Sequence, residues 1–148
     1  MKKIDNNLII ELHVPDFAPV KEFYSKLGFV ITMDDAPNDT EQGYLTMTRS
    51  DAAGKTMLNF YGGDERVYGQ SYFKQFPKET KRGYAAEVTI VAEDVEALYR
   101  QVAVPLKDNI ARELKELRDH DHTWKDFRMV DPFGFYLRFT ELLDWGQQ

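Results

Sequence analysis

An α+β fold is what this sequence predicts, and three features predict it. Several stretches alternate polar and apolar residues as half-buried strands do, two others carry apolar residues at helical spacing, and the order of these patterns in the first half recurs in the second. At 148 residues the chain fits one domain, large enough to bury a core without staples.

The first strand is read over residues 8–14, with Leu8, Ile10, Leu12 and Val14 on one face and Ile9, Glu11 and His13 on the other. Asp16 is placed to cap the following helix, expected over 17–27. Pro19 suits its first turn, Phe17, Val20, Phe23, Tyr24 and Leu27 keep helical spacing, and Gly28 ends it. A strand is expected over 29–33, a polar loop over 34–42, and a hairpin from strands 43–49 and 55–61. Residues 62–82 are the least regular and hold Tyr68, Tyr72, Phe73 and Phe76; they read as a linker with room for one short helix. The order then repeats: a strand over 85–92, Glu93 and Asp94 as caps, and a helix over 94–102 carrying Val95, Leu98, Tyr99 and Val102. Ile110, Leu114 and Leu117, spaced i, i+4, i+7, look helical. Strands around 124–130 and 135–140 close the chain, joined by Asp131-Pro132-Phe133-Gly134, where Pro fixes φ and Gly tolerates positive φ.

That Asp-Pro-x-Gly turn before the last strand has a counterpart at the other end: Leu8-Ile9-Ile10-Glu11-Leu12-His13-Val14-Pro15-Asp16, then Phe23-Tyr24 and Leu27-Gly28-Phe29. Together they resemble the glyoxalase/bleomycin resistance/dioxygenase (vicinal oxygen chelate) superfamily. The resemblance implies a domain over residues 5–143 made of two βαβββ modules, about 5–62 and 83–143. These form a curled mixed or antiparallel sheet with helices on the convex face. It also implies a strand, not a helix, over 110–117. Leu58-Asn59-Phe60-Tyr61 with its polar loop, Asp94-Val95-Glu96-Ala97-Leu98-Tyr99, and Trp124 before the final hairpin are similar to the bleomycin-resistance branch.

Strand alternation divides the residues into two sets. Ile10, Leu12, Phe60, Ile90, Leu137 and Phe139 are expected in the core beneath the helices. The opposite faces carry the candidate ligand-binding residues Glu11, His13, Asn59, Tyr61, Glu87, Trp124, Arg128, Tyr136 and Arg138, with Asp126 beside them. In an ordinary open sheet that face meets water; under the resemblance it lines a polar cavity with aromatic walls. Metal-using relatives place His, Glu or Gln at four positions that fall here on Ile9, Asn59, Glu87 and Arg138. Ile9 has no donor and Arg138 is a permanent cation, so no metal and no other cofactor is expected. Arg138 is instead expected to pair with Glu87 or Glu11, either as a ligand anchor or as a bridge that only fills the cleft. His120-Asp121-His122, in a charged stretch, reads as an exposed turn.

There is no cysteine, which removes disulfide frameworks and thiolate metal sites. Charges interrupt every apolar run and none follows the basic N-terminus, so a cytoplasmic protein with no membrane partner is expected. The net charge of −6 disfavours nucleic acid; it suits a cationic or neutral ligand, or solubility alone. The resemblance favours a homodimeric, metal-independent protein that binds and sequesters a small molecule. Two alternatives stay open. One is a lyase, isomerase or thiol transferase using a metal or a Glu87/His13 acid–base pair; the other is a non-catalytic interaction module presenting the aromatic linker.

Overall fold

The computed structural model describes residues 8–70 and 72–141. The expected domain limits at 5 and 143 lie outside them. Strand β1 (Ile10–Val14) is followed by helix α1 (Ala18–Lys26) and strands β2 (Val30–Asp34), β3 (Gly43–Asp51) and β4 (Gly54–Gly62). Helix α2 (Asp64–Gly69) and a 3-10 turn (Phe73–Gln75) lie in the connecting segment. The second half runs β5 (Glu87–Val91), α3 (Val95–Val102), β6 (Ile110–Asp119), β7 (His122–Val130) and β8 (Tyr136–Thr140). Each half is a βαβββ module, and each builds a four-stranded sheet of the same order, β1-β4-β3-β2 and β5-β8-β7-β6. The first and last strands of a module pair in parallel and the others antiparallel, which makes both sheets mixed.

The local rules that predict the helices operate with one adjustment. Asp16 accepts the Ala18 amide at 2.8 Å, but the N-cap position itself is Phe17. At α3, Asp94 is the N-cap and accepts from Ala97 at 2.8 Å. Glu93, expected as a second cap, reaches the other module: its carboxylate accepts from Ala52 and its amide donates to Asp51 Oδ2.

Residues 110–117 form a strand, as the family resemblance requires and their helical spacing does not. Two register shifts, between Ile110 and Arg112 and between Arg112 and Lys115, interrupt the pairing of β6 with β7. Such bulges break the period of two and let apolar residues fall at spacings that mimic a helix. His120, at φ 46° with its side chain exposed, is the tip of the β6–β7 hairpin.

Buried side chains of both modules make one apolar core beneath the helices. Leu12, Phe60, Ile90, Leu137 and Phe139 lie in it as the alternation predicts. Ile10 is only partly buried against it, Leu8 and Ile9 are exposed and precede β1, and every residue of β2 is exposed because β2 is a sheet edge. Phe127 and Phe139 stack at 5.1 Å between centroids in the centre of the second module.

The modules are joined by a buried polar contact. Tyr24 of α1 donates to Asp131 Oδ2 at 3.0 Å, and Asp131 Oδ1 accepts the amides of Phe133 and Phe135 at 2.8 and 2.9 Å. Asp131 thus organises the Asp-Pro-Phe-Gly turn while anchoring it to the first module; Gly134 there has φ 98°, a left-handed conformation open to glycine. Burial, and then the neighbouring Asp131 carboxyl, raises the Tyr24 hydroxyl well above its ordinary range, so it remains a donor. Burial likewise pushes the Asp131 carboxyl above 3.8, against the lowering effect of its hydrogen bonds. No helix among the described residues is long and apolar enough to cross a membrane.

Two expectations test this architecture. Phe139→Ala is expected to lower stability by about 3–5 kcal/mol in urea unfolding, because a fully buried ring leaves a cavity. Asp131 carries a pH signature: with its folded pKa raised, its contribution to stability is full below the ordinary 3.8 and is lost as pH climbs through the raised value. The stability difference between the protein and Asp131→Asn should therefore shift against the native aspartate across that acid window. A difference independent of pH there contradicts the burial argument.

Candidate functional site

In the first module, alternation along β1 sends Leu12 and Val14 into the core and leaves Glu11 and His13 on the opposite face. His13 Nε2 lies 2.9 Å from Glu11 Oε1, and its Nδ1 is buried with no hydrogen-bond partner among the described residues. The segment 63–86 folds over this face. Lys78 bridges to Asp64 at 3.0 Å and sits over the Tyr68 ring, Arg82 contacts the Tyr68 hydroxyl, and Arg66 contacts the Tyr61 hydroxyl. At the segment's end, Gly83 has φ 71°, and a β-carbon there would fall 2.8 Å from Phe135 Cα; glycine is needed for the chain to reach the Asp131 turn.

Between β1 and this segment lies a cavity of about 450 Å³, walled by Glu11, His13, Tyr68, Tyr72, Phe73, Phe76 and Phe135. The Phe73 ring meets the His13 imidazole edge-on at 4.6 Å. Such a volume, rich in aromatic rings and with polar groups both on β1 and at Thr80, Lys81 and Arg82 of the covering segment, matches the usual form of a small-molecule site. Tyr61 stands next to it, packed on His13 at 5.3 Å, and opens on a second, more polar cavity beside α2. Asn59 does not reach the aromatic cavity; it accepts from Thr46 at 2.8 Å.

The remaining candidates stand on the open face of the second sheet. Arg138 Nε donates to Asp126 Oδ2 at 2.9 Å, and Arg112 forms an ion pair with Oδ1 of the same carboxylate, which is fully buried. Arg128 bonds Glu87 at 3.0 Å and the Tyr136 hydroxyl at 3.3 Å. The expected pairing of Arg138 with Glu87 or Glu11 therefore does not form: Asp126, two residues from Arg128 on the same face of β7, takes Arg138, and Glu87 is held by Arg128. Glu87 and His13, the acid–base pair of the enzyme alternative, are bonded to Arg128 and to Glu11 respectively. Trp124 lies half-buried further along β7 with its indole Nε1 unpartnered among the described residues.

The residues missed from sequence fall into two groups. The aromatic wall was visible as composition, but nothing periodic in 62–82 shows where it folds. Arg112 lies on the strand whose alternation is broken, so its face was not readable.

The four positions that the resemblance would give to metal ligands do not fit a divalent ion here. Ile9 offers no donor, Arg138 is locked to Asp126, and Glu87 is engaged by Arg128 and Thr89. Among the described residues, no group of three or more His, Cys, Asp or Glu side chains is placed to hold a metal.

The paired βαβββ modules are the fold of the glyoxalase/bleomycin resistance/dioxygenase superfamily. Similar solved structures include a bleomycin-binding protein complexed with bleomycin, 21% identical with TM-score 0.55, covering 93% of this chain and 99% of that one. Another is the bleomycin resistance determinant encoded on the transposon Tn5, 20% identical with TM-score 0.60, covering 92% and 97%. A third is a glyoxalase/bleomycin resistance protein/dioxygenase family enzyme from Burkholderia phytofirmans PsJN, 16% identical with TM-score 0.62, covering 91% and 97%. At these identities the likeness is one of fold. No family model matches the sequence, and no curated protein matches it.

Asp126 supplies a test of the second-sheet geometry. Removing it leaves two guanidinium groups without their shared counter-charge, so Asp126→Ala is expected to cost about 3–5 kcal/mol in urea unfolding. Glu87→Gln, which leaves Arg128 its bond to Tyr136, should cost clearly less.

Proposed function

We propose that this protein is a cytoplasmic homodimer that binds a small aromatic molecule in the cavity between β1 and residues 63–86 and holds it unchanged, without metal or cofactor. The observation that carries the reading is the cavity of about 450 Å³, in which aromatic rings face the Glu11–His13 pair. A volume of this order suits a drug-sized ring system. The likeness in fold to a bleomycin-binding protein supports non-covalent ligand binding. Dimerisation is supported by the apolar edge of β2, where Val30, Ile31 and Met33 are exposed on a strand that, among the described residues, pairs on one side only.

A second reading rests on the same pair. An imidazole bonded to a carboxylate at the wall of an aromatic-lined cavity has the arrangement of a general base, which suits an isomerase or lyase.

Thermal-shift titration with bleomycin, an S-substituted glutathione and an aromatic carboxylic acid tests binding, followed by mass spectrometry of the recovered ligand. Saturable stabilisation with the ligand recovered intact supports sequestration, while a changed mass or isomer supports the second reading. Phe73→Ala is expected to weaken binding roughly tenfold or more, as loss of a central aromatic contact does. Unchanged affinity in that variant places the ligand elsewhere.

A further inference from the structure

The open face of the second sheet carries an arrangement that ordinary sheets avoid. Arg112 of β6 is the register partner of Arg128 of β7, and Arg128 is the partner of Arg138 of β8. Three arginines thus stand side by side across adjacent strands, where like charges directly opposite destabilise the pairing. Among the described residues, the carboxylates bonded to them are two, Asp126 and Glu87. That leaves one cation in excess.

The donors are also incompletely used. Arg112 Nε and Arg128 Nε are buried and have no hydrogen-bond partner among the described residues. Buried donors left unpaired are costly, and a charged donor more so. The side chains remain reachable, with 35%, 25% and 17% of the surface of Arg112, Arg128 and Arg138 exposed. Burial, and after it the neighbouring Arg128 and Arg138 charges, pull the Arg112 guanidinium below its ordinary range, while Tyr136 and Glu87 act in the opposite direction.

We propose that this arginine row is a binding site for an oxyanion, the phosphate or carboxylate group of a small molecule, separate from the aromatic cavity. Planar guanidinium groups suit both anions because each offers paired N–H donors to two oxygens. Asp126 and Glu87 fix Arg138 and Arg128 in place, and the exposed portions of the Arg112 and Arg128 guanidinium groups offer the donors the anion takes. Tyr136 keeps Arg128 oriented through its hydroxyl.

The test is isothermal titration of the full chain with inorganic phosphate and, separately, with benzoate, ionic strength being held constant with sodium chloride. Saturable one-to-one binding of either anion is expected, weakened about tenfold or more in Arg112→Met. Phosphate alone points to a phosphate ester as the ligand, benzoate alone to a carboxylate. Should Arg112→Met fail to fold, Arg128→Lys, which keeps the charge but loses the Nε donor and the planar fork, is expected to show the same loss. Absence of saturable binding by both anions, or equal affinity in the folded variant, overturns the proposal. So does loss of self-association in Arg112→Met without anion binding, because a carboxylate of a second copy then supplies the missing charge.

Discussion

The hydrogen bond from Tyr24 to Asp131 is the contact on which the arrangement of the two modules depends. It is buried, it joins the first helix of one module to the last turn of the other, and the same carboxyl group accepts two amides of that turn. One side chain therefore sets both the geometry of the β7–β8 connection and its position against α1. The Asp51–Glu93 contacts and the bond from Gln101 to the Lys26 carbonyl lie at more exposed points of the same junction. Those contacts are replaceable by water; the Tyr24–Asp131 contact is not.

The sheets built on this junction obey a simple rule of alternation, with unequal results. In the first module the face turned from the core gains a cover, because the connecting segment folds back across Glu11 and His13 and walls a cavity with its rings. In the second module the corresponding face carries charge, and its arginines and carboxylates organise one another. A duplicated backbone thus gives two chemically different surfaces. The repeat is legible in topology and has no echo in the side chains of the open faces.

What could be read from the sequence follows where a local rule dominates. Strand faces were legible because Leu12, Phe60, Leu137 and Phe139 obey the period of two, and Asp94 and Gly28 mark helix ends by cap chemistry. Glu11 and His13 were placed on one face for the same reason, while the bond between them was not foreseen. Strand β6 resisted because its two register shifts break the period, and with it the position of Arg112. The partner of Arg138 was misassigned for a different reason. Glu87 and Asp126 both share its face, and choosing between them needs the cross-strand register rather than the parity of each strand. The aromatic wall was recognisable as composition alone, because an irregular segment takes its path from the surfaces it meets.

That path separates two kinds of selection within one chain. Residues 63–86 supply most of the cavity's rings, yet they contribute no strand to either sheet. Under the proposed binding role, exchanging Tyr72 or Phe76, both exposed, would change what the cavity accepts without touching a strand register or the shared core. Divergence of ligand preference can therefore proceed in the connection between the repeats while the repeats themselves stay fixed, a division of labour resembling that of hypervariable loops on a rigid scaffold.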